Sequence, residues 1–492
     1  MHKNFKQPHQ LGLFGFLMIT VSMVVTIYTY PTFATAGFSL IFFLLFAGFL
    51  WFIPVCLTAA EMGTGAGGWS NAGVYSWGTA ALGERFGFKM IYLQFMEISI
   101  GFVPMLYFIT GALGYLFDAP QLSQPGWSQF AIIFTIFWAI SLASFGGTRI
   151  TKYIASTGFV LGVLLPALVL VILGFMFVLE GNTLQIALNS KTFFPSFSEG
   201  STLVVLASFV LAFMGAEASA VHVNHLKNPG RNYPLSIFIL VITTIVIGSL
   251  ASLTIAMTVP KAQISLNAGI VEAFSYLFTH YGLAWARYPI AALVAISAIA
   301  EIASWVNGPV RGMLFAAQQG LLPPRLAKMN KNHMPTHLML VQGILVTIWM
   351  VVLTFGSQGG GNMAFFTAIA LTVISYLTMY VLLFISYLVL KVKKADNPRR
   401  FTLPAPLGWI VALVGLCSTI FAFIVAFAKP EEISLKLYSN YLTILIVAYV
   451  IIFIIPHIVY YFAKRREGEW KKQIQAMIKK GETFQTKSTI KS

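Results

Sequence analysis

The sequence predicts an all-α integral membrane protein of about twelve transmembrane helices, two of them broken. Three observations predict it. Of the 492 residues, 58% are hydrophobic and only 9% charged, and the mean hydropathy is +0.81. A soluble domain carries roughly 25% charged residues, so this chain cannot cover a globular surface and lipid is the solvent for its exterior. Apolar segments long enough to cross a ~30 Å hydrocarbon core fall at 11–36, 38–62, 88–116, 127–145, 154–179, 201–222, 235–259, 284–316, 338–355, 363–390, 407–428 and 438–462. Finally, the basic residues are distributed unevenly. With the N-terminus inside, inner loops and tails hold 25 of the 31 Lys and Arg, and outer loops hold four: Lys191, Lys261, Lys429 and Lys436. Arg287 and Arg311 lie in or beside the eighth span. That asymmetry places both termini in the cytoplasm.

The first run, 11–30, follows Lys3 and Lys6 and precedes Ala34-Thr35-Ala36, a small-residue sequence resembling a cleavage site. It is longer than the ~7–15 residues of a signal h-region, so it reads as a retained span. The chain divides into a short cytoplasmic N-terminus (1–10), a transmembrane domain (11–463) and a basic cytoplasmic tail (464–492). In the tail, Trp470, Ile474, Met477 and Ile478 fall on one helical face, as in a helix that docks on anionic lipid or as a flap over the inner mouth. The net charge of +16 lies beside hydrophobic spans, as in loops facing anionic lipid rather than nucleic acid. Cys56 and Cys417 sit in apolar runs, with no disulfide framework and no metal-ligand spacing. There is no phosphate-cradling Gly-rich loop and no Gly-x-Ser-x-Gly elbow, so no enzyme, cofactor or metal is expected.

Carboxylates are expensive in hydrocarbon, by ~2.5–3.5 kcal/mol on insertion scales. Glu61, Glu97, Glu217 and Glu301 lie in or at the edge of spans, and each therefore faces a cavity, a partner or a substrate. Pro31 interrupts the first span at Tyr28-Thr29-Tyr30-Pro31-Thr32-Phe33, where it removes a backbone donor and clashes with the preceding turn. Gly215 permits unwinding of the sixth at Met214-Gly215-Ala216-Glu217. Unwound backbone at membrane depth is tolerated around a cavity. Breaks five spans apart fit two five-helix inverted repeats with discontinuous helices lining the site.

A broken helix suits a zwitterion. Free N–H groups at one half meet a carboxylate and free carbonyls at the other meet an ammonium. Tyr30 to Thr35 and Met214 to Ser219 are the candidate segments. Glu217 reads as an ammonium contact, a proton-sensitive gate or a structural carboxylate at the break. Glu301 and Trp305 share a helix face at i, i+4, as cavity wall and aromatic gate or as packing. Tyr376 and Tyr380 have the same spacing on the tenth span, and phenols at that depth need partners. Tyr28 and Tyr30 flank the first break. Glu97 has no partner evident from sequence, and Glu61 reads as a span-boundary or packing residue. His222 and His225 near the inner end of the sixth span read as solvated or capping residues or as pH sensors.

The chain resembles the amino acid–polyamine–organocation superfamily, and within it the bacterial glutamate/γ-aminobutyrate antiporters. The resemblance covers about residues 10–465 and rests on strings in order: Tyr-Pro-Thr-Phe-Ala-Thr at 30–35, Trp-Phe-Ile-Pro-Val at 51–55, Ala-Glu-Met at 60–62 and Ser-Lys-Thr-Phe-Phe-Pro at 190–195. These are followed by Met-Gly-Ala-Glu-Ala-Ser-Ala at 214–220, Asn-Pro-Gly-Arg-Asn-Tyr-Pro at 228–234, Glu-Ile-Ala-Ser-Trp at 301–305, Gly-Pro-Val-Arg-Gly-Met at 308–313 and Lys-Met-Asn-Lys-Asn at 328–332. It implies a leucine-transporter-like core of ten helices plus two C-terminal ones. It also implies exchange of an external amino acid for its internal decarboxylation product, supporting acid resistance together with a cytoplasmic decarboxylase. Tyr28, Glu217, Glu301, Trp305, Tyr376 and Tyr380 carry over as pathway residues. The chain departs from the family pattern at Thr29, Glu97 and His225, where the family has Glu, Gln and Glu, and in lacking a His- and Arg-rich C-terminal plug.

The expected function is therefore an antiporter in a bacterial plasma membrane, working by alternating access and most simply exchanging glutamate for γ-aminobutyrate. The departures leave other precursor/amine pairs open, such as histidine/histamine or tyrosine/tyramine. Proton- or sodium-coupled uptake and a non-transporting amino acid sensor are the other classes. An ion-gradient dependence without internal counter-substrate marks the first, and an absence of steady-state uptake the second.

Overall fold

The computed structural model describes residues 12–66, 69, 72–147, 158, 160–198, 200–215, 217, 226–356, 360–394, 396–430 and 433–483. Residues 1–10, Ala216, Ser219, His222 and His225 lie outside the described residues. Among the described residues, ten helices are long and apolar enough to cross a membrane. They coincide with ten of the twelve segments expected from hydropathy. The other two segments, the first and the sixth, are in short pieces.

The first segment starts as α1 (Leu13–Val24), ends at an extended Val25, and resumes as α2 (Tyr30–Ala34). The position of the interruption corrects the sequence argument. Pro31 does not break a turn behind it but sits in the first turn of α2, where its missing N–H is one of the donors a helix start leaves unbonded anyway. The non-helical residues, 25–29, precede it.

Next come α3 (Gly37–Gly63), α4 (Val74–Leu82), α5 (Glu84–Leu116), α6 (Trp127–Gly146) and α7 (Val160–Leu179). Two π-helical stretches, Phe46–Phe52 and Val160–Leu164, each end two residues before a proline, Pro54 and Pro166. A proline cannot donate to the carbonyl four residues back, and a widened turn absorbs that loss.

The short α8 (Ser190–Phe193) is fixed by a reciprocal capping box between Asn189 and Thr192. The sixth segment consists of α9 (Gly200–Leu203) and α10 (Leu206–Leu211), then tight turns to Gly215, whose φ is +92°. That conformation favours glycine.

Beyond it are α11 (Pro229–Thr258), α12 (Gly269–His280), α13 (Arg287–Trp305), α14 (Gly308–Gln318), α15 (Thr336–Gly356), α16 (Gly360–Lys393), α17 (Ala405–Val425) and α18 (Leu435–Lys479). The eighth span is thus stepped: α13 and α14 meet at Val306 and Asn307, just before Pro309. Hydropathy did not foresee α4 or α12. Helix α12 joins several elements on one end of the protein. Leu266, just before it, donates to the Asn362 side chain at the start of α16 (2.8 Å), and His280 pairs with Glu180 after α7 (3.1 Å).

The two axial helices are α5 and α16, with 94% and 78% of their most apolar windows buried, against 22% for α18. The outer helices turn Ile410, Ile424 and Val447 outward, the lipid-facing apolar exterior that the composition demands. The tail helix is continuous with the last span to Lys479. It docks on protein: Ile474 is buried, Lys328 pairs with Glu482 (3.4 Å) and Gln318 donates to Thr483 (3.0 Å).

Candidate functional site

The breaks of the first and sixth segments are brought together by stacked rings. Phe33 of α2 lies 4.4 Å from Phe209 of α10, which also stacks on Phe43 of α3 at 5.1 Å. Phe209 thus ties α2, the piece that follows the first break, to α10, the piece that precedes the second. Tyr28 is buried with its ring edge-on to Phe108 of α5 at 6.4 Å. The Thr29, Tyr30 and Thr32 side-chain oxygens are buried and unpartnered, as are those of Thr26 and of Ser208 on α10. Buried polar groups normally find partners, and four of these five oxygens lie between Thr26 and Thr32, around the first break.

Glu217 is the best-connected group of the site. Its Oε1 accepts from Gln94 Nε2 (2.7 Å) and from the Tyr376 hydroxyl. Its Oε2 accepts from the Tyr380 hydroxyl at 2.5 Å. The Gly215 N–H donates to the same Tyr380 oxygen (3.3 Å), so one phenol ties the unwound backbone to its neighbouring carboxylate. The i, i+4 spacing on α16 places the two rings 4.7 Å apart, and Trp51 of α3 meets Tyr380 edge-on at 4.9 Å. Trp51 is itself fixed by its indole N–H donating to Thr419 (3.1 Å). The sixth-segment break is thus held against α5 and α16 by donors that suit an ionised carboxylate.

Trp305 covers the break. A methyl group built on Gly215 would lie 2.5 Å from Trp305 Cη2, so glycine is required here both by its φ and by the ring above it. One turn back, the buried Glu301 Oε1 has no hydrogen-bond partner. Glu97 is 6% exposed on α5. Glu301 and Glu97 both act electrostatically on the Tyr28 hydroxyl, Glu97 also acts on Tyr376, and Glu217 acts on Glu97. Met214 and Pro31 are buried beside the two breaks. The structure thus joins Glu217 to Tyr376 and Tyr380 by hydrogen bonds and sets Trp305 over Gly215, while Tyr28, Thr29, Tyr30, Pro31 and Thr32 lie at the first break. Ala216 lies outside the described residues.

Sequence reasoning missed Gln94, Trp51 and Ser208. Gln94 stands three residues before Glu97, on the same helical face, and that spacing could have found it. Asn307 immediately precedes Gly308-Pro309 inside an apolar run, a signal of the step in the eighth span.

Glu61 is not simply a boundary residue. It is 0% exposed and accepts from Lys391 Nζ (2.7 Å), Arg399 Nη1, the Tyr387 hydroxyl (2.6 Å) and the Leu403 N–H (3.2 Å). An antiparallel bridge, Gly65 to Arg399, runs beside it. Tyr376, Tyr380, Tyr387 and Lys391 lie at i, i+4, i+11 and i+15 along one face of α16. That face grips two carboxylates, Glu217 in the middle and Glu61 at the end.

A family model described as amino acid permease matches residues 11–452. The chain is 44% identical over 461 residues to a glutamate/γ-aminobutyrate antiporter of Lactococcus lactis subsp. lactis, covering 93% of this chain and 91% of that one. It is equally 44% identical over 455 residues to the glutamate/γ-aminobutyrate antiporter of Lactococcus lactis subsp. cremoris, covering 92% and 90%. An uncharacterised transporter of Legionella pneumophila is 31% identical over 465 residues, covering 93% and 97%. With ten apolar membrane-length helices among the described residues and a family match over residues 11–452, the chain belongs to the amino acid permease family.

Proposed function

We propose that this permease is an antiporter that takes up external glutamate against internal γ-aminobutyrate by alternating access. The observation that carries the reading is the hydrogen-bonded Glu217 cluster at the sixth-segment break; together with the buried unpartnered hydroxyls at the first break and the carboxyls of Glu97 and Glu301, it is read as lining one polar chamber. The printed function of two relatives with 44% identity over most of the chain supports the choice of solutes. Backbone N–H and carbonyl groups freed at the breaks receive the carboxylate and ammonium common to both solutes. Tyr28, Thr29, Tyr30, Thr32, Glu97, Glu301 and Trp305 line the route. The backbone at Pro31, Met214, Gly215 and Ala216, and the Glu217–Tyr376–Tyr380 set, shape and close it. The basic-residue bias supports both termini on the cytoplasmic side of a bacterial plasma membrane. Removing a carboxylic acid inside and exporting the amine would consume protons, so the natural partner is a cytoplasmic decarboxylase and the benefit is acid resistance.

A second reading keeps the exchange mechanism and changes the pair. Thr29 presents a buried unpartnered hydroxyl and Glu97 a buried carboxyl in the same chamber, a pattern that also suits a precursor with a basic or phenolic side chain. The test is uptake of labelled glutamate, histidine and tyrosine into proteoliposomes loaded with γ-aminobutyrate, histamine, tyramine or nothing. Glutamate uptake confined to γ-aminobutyrate-loaded vesicles supports the first reading. Uptake of another amino acid against its own amine selects the second, and uptake into empty vesicles under a pH gradient replaces exchange with symport.

A further inference from the structure

Where the outermost helix α18 passes the start of α5, a cation is left without a counter-charge. Lys89 on α5 is only 6% exposed. Its ammonium lies over the face of Phe453 on α18, 3.2 Å from the ring centroid. An ammonium has three donors, and a ring face attracts it but offers no oxygen. Among the described residues Lys89 makes no ion pair, and the charged group that acts on it is another cation, Arg85.

Two more basic groups meet at the same place. Arg85 stands one turn before Lys89, on the same helical face and exposed. His457 stands one turn after Phe453, with the two rings 5.6 Å apart. Its Nδ1 lies 3.0 Å from the Phe453 carbonyl oxygen, so Nε2 is the nitrogen left for a ligand. Lys89 and Arg85 both act electrostatically on His457, and no carboxylate acts on Lys89 or His457. Glu84, the acid at the start of α5, is already taken by Lys464 and by the Tyr460 hydroxyl (3.3 Å), further along α18. The junction borders lipid: Phe453, Ile454, Ile458 and Tyr461 form an exposed stripe on α18. In the orientation proposed above, both helices meet the cytoplasmic face here. Lys89 then lies about 7–8 Å inside Glu84, at 1.5 Å per residue.

We propose that Arg85, Lys89 and His457 bind the phosphate of an anionic phospholipid of the cytoplasmic leaflet, with its acyl chains along the exposed stripe of α18. The phosphate supplies the oxygens that the three basic groups lack, and basic pockets between spans at this face suit such headgroups. A soluble phosphate would meet the same basic groups but leave the apolar stripe unused. The lipid ties α18, with 22% of its most apolar window buried, to the axial α5, with 94%. The site is independent of which solutes the permease exchanges.

The test follows thermal unfolding of the detergent-solubilised full chain as the mole fraction of phosphatidylglycerol in the micelles is raised. Phosphatidylcholine and soluble glycerol 3-phosphate are titrated in parallel. Phosphatidylglycerol should raise the unfolding midpoint of the wild type saturably, and the other two should not. Lys89→Met should lower the apparent affinity for phosphatidylglycerol about ten- to hundredfold, as loss of one hydrogen bond to a charged group implies. Lys331→Met, which removes the same charge from an exposed position between α14 and α15, should leave that affinity unchanged. A lower midpoint in Lys89→Met with an undiminished response to phosphatidylglycerol would mean that Lys89 merely staples the two helices through Phe453, and would overturn the proposal. So would equal losses of affinity in Lys89→Met and Lys331→Met, or equal stabilisation of the wild type by phosphatidylcholine. Equal stabilisation by glycerol 3-phosphate would overturn the lipid in favour of a soluble phosphate. If Lys89→Met does not fold, Arg85→Gln, at the exposed member of the set, should weaken the response several-fold, and a wild-type response would again overturn the proposal.

Discussion

Replacing Glu61 with Gln should be among the most damaging single changes available outside the transport chamber. The carboxylate is fully buried between Lys391 and Arg399, whose side chains are only 9% and 4% exposed. Gln keeps the size but leaves two buried cations without a counter-charge, which costs about 3–5 kcal/mol. Removing one cation is milder. After Lys391→Met, Glu61 still accepts from Arg399, Tyr387 (2.6 Å) and the Leu403 N–H (3.2 Å), so about 1–3 kcal/mol is expected. Because the two residues share one cluster, Glu61→Gln/Lys391→Met should lose less than the sum of the single losses, by about 1–3 kcal/mol. The assay is equilibrium unfolding of the detergent-solubilised protein, followed by tryptophan fluorescence, for wild type, both single variants and the double. If Glu61→Gln cost no more than Lys391→Met, or if the two losses added, the cluster would not be a coupled buried ion network.

Gly215→Ala should sharply slow exchange. It forces a side chain into left-handed backbone, at about 1–2 kcal/mol, and drives a methyl into the Trp305 ring; rates within twofold of wild type would show that the ring is free to move. Tyr380→Phe should impair exchange more than Tyr376→Phe. It removes both the Oε2 donor and the acceptor for the Gly215 N–H, whereas Gln94 still serves Oε1 after the other change; equal losses in the two exchange rates would contradict this. Hydrogen exchange of α12 should stay slow at neutral pH and quicken only in strong acid. The His280 hydrogen bond holds the Glu180 carboxyl below the usual carboxylate range. A group whose folded pKa is depressed stabilises fully above its unfolded value, about 4.3 for Glu, and loses that contribution as pH falls through the folded value. Once corrected for intrinsic rates, α12 amides that are equally protected on both sides of that range would remove the tether's role.

Ten of the membrane-length helices were legible in the sequence because hydropathy over some twenty residues reports burial in lipid directly. Pro31 and Gly215 stand close to where the described parts of the first and sixth segments leave helical geometry. The first interruption was displaced by a few residues because proline is compatible with a helix start. Helices α4 and α12 escaped because neither is long enough to raise a span-length signal. At the site, Tyr376 and Tyr380 could be paired with each other from i, i+4 spacing, but not with Glu217. That contact joins residues 163 positions apart for Tyr380, and local periodicity says nothing at that range. Glu61 shows the same limit: its partners lie across the fold in the segment from Tyr387 to Leu403.

The most direct test of exchange at this chamber is a dual-label flux measurement. Proteoliposomes holding one isotope-labelled γ-aminobutyrate are diluted into medium with differently labelled glutamate, and both fluxes are followed in the same vesicles. The account predicts coupled fluxes, one γ-aminobutyrate leaving for each glutamate entering, with both abolished together in the Trp305→Ala variant. Glutamate entering without γ-aminobutyrate leaving, or both fluxes surviving Trp305→Ala, would contradict it.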